Sequence, residues 1–214
     1  VLGFPVRVHP LFWVVALLLS QGATGGLPVL VLIWVVVMFV SILVHELGHA
    51  VLQQWFGGRP RIVLYGMGGL AISQGPPVSA WRQVAIALAG PLAGFLLAGV
   101  VWLAGAFTPL FDSQLAYATY LFLLWVNILW GIFNLLPIYP LDGGHIAREL
   151  LTLMLRPHRG ILVSLWLSIA CCAAAAVFLW VRTGSPWNLV LMVLLAVNNY
   201  QTLEAYRRSR GGGW

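Results

Sequence analysis

Residues 45–49 have the sequence His-Glu-Leu-Gly-His and carry the side chains best suited to chemistry in this chain. On an α-helix, residues four apart lie on one face, so His45 and His49 can direct both imidazole rings at one metal ion. Glu46 follows the first histidine and can reach a water molecule at that ion, where its carboxylate would act as a general base. The spacing therefore predicts a helix that carries two metal ligands and a base for hydrolysis.

The composition indicates that this motif lies in a lipid bilayer. Of the 214 residues, 61% are hydrophobic and 7% are charged, whereas a soluble domain is normally about 25% charged. Ionisable side chains at bilayer depth are costly without partners, so three within one helical turn indicate a functional site. The net charge of +6 comes from arginines that lie between apolar runs, which fits anionic lipid headgroups better than nucleic acid. We therefore expect a lipid bilayer and no nucleic acid as a partner.

The apolar runs predict an all-α polytopic membrane protein with about six transmembrane helices. A helix needs about 20 apolar residues to cross the hydrocarbon layer, and the candidate spans are 10–22 (beginning as early as Phe4), 27–55, 82–107, 115–136, 160–182 and 186–206. Glycines and short β-branched stretches break the segment 57–77, which predicts a small re-entrant β-hairpin after the metal-binding helix. We expect one domain over residues 1–214, with a core at 27–145, this hairpin, and additional helices at 160–206.

The distribution of arginine predicts how these helices are oriented. Ten of the eleven arginines fall at the termini or in the connections on one side, and Arg182 falls on the other. Because the positive side of a membrane protein is cytoplasmic, both termini are predicted in the cytoplasm. From Leu27 to His45 a helix rises about 27 Å at 1.5 Å per residue. We therefore expect a multi-pass protein of the cell membrane with its site in the cytoplasmic half of the bilayer.

The third ligand of a catalytic zinc site should be another buried histidine or acid, since such sites use three protein ligands. The remaining acids are Asp112, Asp142, Glu149 and Glu204. Asp112 is predicted on the opposite membrane face, Glu204 adjoins the basic C-terminal run, and Glu149 lies in a short interfacial helix. Asp142 lies where two prolines and two glycines break span four, and broken helices turn side chains inward at functional sites. Asp142 is therefore the favoured third ligand.

The motif at 45–49, followed by Asn-x-x-Pro-x-x-x-Leu-Asp-Gly at 134–143, resembles the site-2 proteases. These are intramembrane metalloproteases that cleave transmembrane segments. The likeness covers nearly the whole chain and includes the Gly90-Pro91 motif; the spacing Gly-x-x-x-Gly at 90–94 separately predicts close helix packing. The resemblance implies that His45, His49 and Asp142 bind one Zn²⁺ ion per chain. It also implies that Glu46 activates water and that Asn134 lies near the substrate or the developing oxyanion.

The resemblance also implies an activity and a class of substrate. The expected enzyme is a zinc metalloendopeptidase that hydrolyses peptide bonds within or near transmembrane segments of single-span regulatory membrane proteins, in regulated intramembrane proteolysis. A substrate helix must unwind first, and the hairpin around Arg61–Ser73 could receive it as an added strand. Many relatives carry a PDZ or CBS domain, and this sequence carries neither. We therefore expect regulation by a separate partner protein or by the membrane itself.

Two other functions share part of this pattern. Buried histidine and aspartate also line the ion pathways of transporters and metal permeases, but a general base beside two ligands has no use there. A catalytically inactive relative that binds membrane partners has no need to keep Glu46. His145 is either a substrate or ligand-supporting contact or an interfacial residue. Asn127, Asn198 and Asn199 are expected to hydrogen-bond between helices.

Overall fold

Seven helices and three strands make up the part of the chain that the computed structural model describes, which is residues 1, 3–66, 68–75, 78–107 and 113–211. The strands are β1 (Val6–Val8), β2 (Arg59–Tyr65) and β3 (Gly68–Gln74). The helices are α1 (Pro10–Thr24), α2 (Pro28–Trp55), α3 (Ala80–Phe107), α4 (Gln114–Asn134), α5 (Asp142–Met154), α6 (Pro157–Thr183) and α7 (Pro186–Gly211).

Among the described residues, four helices are long and apolar enough to cross a membrane: α2, α3, α4 and α6. They correspond to the predicted spans 27–55, 82–107, 115–136 and 160–182. Helix α1 is apolar but has 15 residues, and α7, which covers the predicted span 186–206, is not one of the four. The helical membrane-type fold is therefore confirmed, and the count of six spans stays a prediction.

Proline and glycine set the ends of several helices. Helices α1, α2 and α6 each have proline in their first turn, where the missing N–H has no intrahelical partner to lose. Helices α1 and α6 end at Gly25 and Gly184, both in the left-handed conformation with φ of 59°. Glycine adopts that conformation at no steric cost, so the boundaries follow directly from the local sequence.

The predicted hairpin is confirmed, and a third strand joins it. Strands β2 and β3 pair antiparallel, from Arg59 opposite Gln74 to Tyr65 opposite Gly68. Strand β1 pairs parallel with β2, which gives the order β1-β2-β3. The first helix begins at Pro10, in agreement with the predicted span 10–22, and the alternative of an earlier start near Phe4 is wrong because residues 6–8 form β1. A three-residue strand whose partner lies more than fifty positions away leaves no local periodic pattern to detect.

The contacts divide the chain into two compact units, and the first comprises residues 1–78 and 88–133. Its core includes Ile62 and Leu64, fully buried on the inner face of β2, together with Phe12 of α1 and Ile42 of α2. Asn127 of α4 donates a hydrogen bond to the Ser41 hydroxyl of α2 at 2.9 Å, and both residues are buried. This bond confirms the interhelical role predicted for Asn127.

The second unit comprises residues 79–87 and 134–214. Here α6 packs against α5 and α7. Side chains of α6 and α7 bind the connection between α4 and α5. The Ser168 hydroxyl accepts a hydrogen bond from the Tyr139 backbone N–H at 3.1 Å, and the Asn199 amide donates to the Tyr139 carbonyl. Asn199 therefore fixes the segment that leads into α5. The single domain predicted over residues 1–214 stays a prediction.

Candidate metal centre

His45 and His49 lie on the buried face of α2, with 4% and 7% of their surface exposed. Their Nε2 atoms are 3.2 Å apart, and the two rings are nearly perpendicular at 81°. Two nitrogens bound to one tetrahedral zinc ion at about 2.0–2.1 Å each would lie about 3.3 Å apart. The pair therefore fits the spacing that two histidine ligands of one ion require.

Glu46 is 4% exposed and lies against strand β3. A Cβ atom on Gly69 would overlap the Glu46 carboxyl group. Gly69 is opposite Leu64, whose buried side chain marks the inner face of the sheet, so Gly69 turns its empty side toward α2. The backbone of β3 thus forms one wall of the site, which limits where the carboxylate can move.

The sequence analysis did not predict the contact between Gly69 and Glu46, although the residues of β3 contain a pattern that indicates it. The positions of β3 that share the inner face with Leu64 and Ile62 are Gly69 and Ala71. In β2 those positions hold large buried side chains, and in β3 they hold the smallest residues. An alternation of small residues in one strand of a hairpin indicates that another element approaches closely.

Helix α3 approaches α2 closely at two glycines. A Cβ atom on Gly90 would overlap the imidazole ring of His49, and one on Gly48 would overlap the backbone carbonyl of Ala89. Gly94, four residues along α3, is next to Asn127 of α4, with 3.6 Å from its Cβ position to the nearest atom. The close packing predicted from Gly-x-x-x-Gly is confirmed, and Gly90 limits the positions open to the His49 ring.

Asn134 and Asp142 belong to the second unit, at the two ends of the connection between α4 and α5. Asn134 is the last residue of α4 and is 8% exposed. Asp142 is half-buried in the first turn of α5, where the helix dipole favours a carboxylate. Of the predicted site residues, the structure thus brings His45, Glu46 and His49 together in the first unit.

The other histidines have contacts that the sequence did not indicate. The His145 side chain is exposed, and its ring lies 5.1 Å from the ring of Tyr139. His9 accepts a hydrogen bond from the Leu11 N–H at 3.2 Å and so caps α1. His158 is 3.3 Å from the Tyr206 hydroxyl. His9 thus stabilises the start of α1, and His158 links α6 to α7, both of which are ordinary structural roles.

Comparison with known proteins places this chain in a family. The model of peptidase family M50 matches residues 108–177. The chain is 30% identical to stage IV sporulation protein FB of Bacillus subtilis over 212 residues, which cover 95% of this chain and 66% of that protein. The chain belongs to peptidase family M50. This M50 chain is also 29% identical to zinc metalloprotease MJ0392 of Methanocaldococcus jannaschii over 154 residues, which cover 71% of the chain and 44% of that protein.

A solved structure shares the fold of the M50 chain. The site-2 protease from Methanocaldococcus jannaschii matches with a TM-score of 0.65 and 22% identity, over 95% of this chain and 92% of that chain. Together with the four apolar helices, the family identifies a multi-pass membrane protein. The chain spans about half the length of the curated relatives it matches, 44% and 56% of two of them.

Proposed function

We propose that this M50 chain is an intramembrane zinc metalloendopeptidase that hydrolyses peptide bonds within or near transmembrane segments. The observation that carries the proposal is the pair of buried imidazole nitrogens 3.2 Å apart on α2, with the buried Glu46 beside them. Helix α2 is apolar enough to cross a bilayer, and ionisable groups at that depth are retained for function. The relatives named zinc metalloproteases support the same chemistry.

One zinc ion per chain is proposed to bind His45, His49 and Asp142. These residues supply two imidazole nitrogens and a carboxylate oxygen, a donor set that could hold a metal ion and that suits catalytic zinc. Zinc, when bound, lowers the pKa of water to about 7 and polarises a carbonyl group.

Glu46 is proposed as the general base and Asn134 as an electrostatic stabiliser. The Glu46 carboxylate takes a proton from the attacking water and delivers it to the leaving amine nitrogen. The backbone of Gly69 limits the movement of the carboxyl group, so little reorganisation precedes the proton transfer. The Asn134 amide donates a hydrogen bond to the substrate or to the developing oxyanion.

The substrate is proposed to be a single-span regulatory membrane protein, cleaved in regulated intramembrane proteolysis. Every backbone group of a transmembrane helix is hydrogen-bonded internally, so the segment must unwind before attack. Strand β3 is at the outer edge of the sheet, and the backbone groups that it turns away from β2 face an extended segment that would lie along this edge. The hairpin is therefore the proposed receiver of the unwound substrate.

The chain is also proposed to have a defined orientation in the cell membrane and a separate source of regulation. The excess of arginine in the connections of one side supports cytoplasmic termini and a site in the cytoplasmic half of the cell membrane. A separate partner protein, or the membrane itself, is proposed to regulate access to the site.

The decisive experiment compares the wild type with Glu46→Gln. Both purified proteins are reconstituted with a panel of tagged single-span membrane proteins, and bound zinc is measured in both. Loss of the general base should slow cleavage by about 10³-fold while zinc stays bound, because the ligands are intact. Cleavage only at sites remote from transmembrane segments would refute the proposed substrate class, and undiminished cleavage by Glu46→Gln would refute the mechanism. If both proteins bind zinc and neither cleaves, measurements of ion flux test the permease alternative.

A further inference from the structure

Gln53 of α2 makes a hydrogen bond with the hairpin. Its Nε2 donates to the backbone carbonyl of Ala71 in β3 at 3.0 Å. Gln53 follows His49 by four residues and His45 by eight, so it lies on the same face of α2 as both candidate ligands. The helix that carries the proposed chemistry therefore also binds the edge strand directly.

The Ala71 carbonyl points away from β2, toward the outer edge of the sheet. Ile62 in β2 uses its backbone N–H to bind the Pro5 carbonyl on the β1 side. Backbone groups alternate between the two edges of a strand, and Ala71 is directly opposite Ile62 in the register. Ala71 therefore forms a non-hydrogen-bonded pair with Ile62 and turns both of its backbone groups to the outer edge of β3.

Strand β3 also borders the proposed base, on the inner face of the sheet at Gly69. Gly69, two residues before Ala71, also directs its backbone groups outward, and its missing side chain leaves room for Glu46. Glu46 therefore meets β3 on the inner face at Gly69, and Gln53 reaches the outer edge of the same strand at Ala71. A peptide segment along this edge would have its backbone beside both side chains.

The Oε1 atom of the Gln53 amide indicates that a ligand binds here. Its Oε1 is buried and has no hydrogen-bond partner among the described residues. Buried carbonyl oxygens are nearly always paired, because an unpaired one loses its bonds to water. The Gln53 amide therefore makes the bond that an added strand would make to Ala71, and it presents a second acceptor where that strand would lie.

We propose that Gln53 is a substrate-binding residue whose Oε1, held in place through the Ala71 carbonyl, accepts a backbone N–H of an extended substrate segment on the outer edge of β3. This inference rests on the proposed proteolytic function. Every peptide offers such N–H groups, so the contact sets the register of the segment relative to Glu46 without selecting side chains. Gln53 therefore determines which peptide bond reaches the base.

Gln53→Met tests this role, because methionine keeps the length and volume of glutamine and removes both hydrogen-bonding groups. Gln54→Met is the matched control, since Gln54 is the next residue and its side chain is exposed. Binding is measured in proteins that also carry Glu46→Gln, with the tagged single-span membrane proteins of the cleavage panel. Loss of the hydrogen bond should raise Kd about tenfold in Gln53→Met and leave Gln54→Met unchanged.

Cleavage by proteins with an intact Glu46 provides the second measurement. Gln53→Met should raise KM about tenfold and change kcat less than about twofold. It should also add cleavage at bonds two residues from the original one, because a strand slips by two residues to keep its faces. A purely structural defect would lower kcat and the melting temperature without moving the cleaved bond. If Gln53→Met fails to fold, Gln53→Leu replaces it, because leucine also removes both hydrogen-bonding groups, and the same rise in KM is expected.

The outcomes separate this inference from the proposed function. If wild type cleaves and Gln53→Met cleaves the same bond with unchanged KM and Kd, the Gln53 inference is overturned and the protease remains. If wild type cleaves nothing, the proposed function fails, and binding still decides about Gln53. Binding by the Glu46→Gln protein that is lost in the double variant supports the inference. Equal binding, or binding by neither protein, overturns it.

Discussion

The proposed zinc ligands come from two regions that are built in different ways. In residues 45–53 of α2, the side chains follow from one regular helix, and the close contacts at the two reacting groups are made to side chains: Gly69 borders the Glu46 side chain and Gly90 borders the His49 ring. Gly48 is the exception, because it meets the backbone carbonyl of Ala89. In residues 134–144, one helix ends and another begins, and the close contacts join backbone to backbone. A Cβ atom on Gly143 would overlap the carbonyl of Leu135.

This difference predicts different costs of disturbance. A side chain that meets a new methyl group can rotate, so the fold survives while the position of a reacting group changes. A backbone carbonyl within a fixed connection cannot withdraw in that way, so the same methyl group strains the fold. Changes that meet the Glu46 or His49 side chain should therefore alter chemistry first, and changes near α5 should alter stability first.

Of the variants considered, His49→Ala should have the largest effect on zinc content and on cleavage. Removal of one of three ligands should lower the zinc content from one ion to less than about a tenth of an ion per chain, and cleavage should stop. Metal analysis of the purified protein measures this, with Gln54→Met as a control that keeps full zinc. A His49→Ala protein that retains one tightly bound zinc ion would show that the ligands lie elsewhere.

Gly143→Ala tests the backbone contacts of the second region. The new methyl group has to displace the carbonyls of Leu135 and Leu136, which should destabilise the protein by about 1–3 kcal/mol. Thermal unfolding in detergent should show a melting temperature several degrees lower.

The matched control is Gly99→Ala in α3, where a methyl group meets no atom within 4 Å. Alanine there should be neutral or should stabilise the helix by up to about 1 kcal/mol. Equal melting temperatures for the two variants would contradict the backbone contact at Gly143.

Gly69→Ala should have the smallest effect on stability and a selective effect on rate. The methyl group meets Cγ and the carboxyl group of Glu46, so the Glu46 side chain has to turn away and the general base is displaced. A displacement of about 1 Å costs roughly 100-fold in rate, so kcat should fall by about 10- to 100-fold while zinc content and melting temperature stay near the wild type. Gly22→Ala in α1, with nothing within 4 Å, is the control. An unchanged kcat would contradict the placement of Glu46 against β3.

The two regions also differed in how far the sequence predicted them. The spacing of His45 and His49 predicted a common helix face because a helix repeats every 3.6 residues, and the structure confirms this with nitrogens 3.2 Å apart. The break after Asn134 was predicted from prolines and glycines, and α5 indeed begins at Asp142. The contacts that hold that break, from Ser168 and Asn199 to Tyr139, join residues 29 and 60 positions apart, and no local pattern encodes them.

The sequence by itself determined the membrane environment, the family, the helix that carries the two histidines and the hairpin that follows it. These features depend on composition and on periodicities of two and 3.6 residues, which act within a few neighbouring positions. Only the tertiary structure decided that β1 completes the sheet, that Gly69 borders Glu46, and that Gln53 binds the outer edge of β3 at Ala71. Those contacts join segments that are distant in sequence, and whether two such segments meet depends on how the whole fold packs.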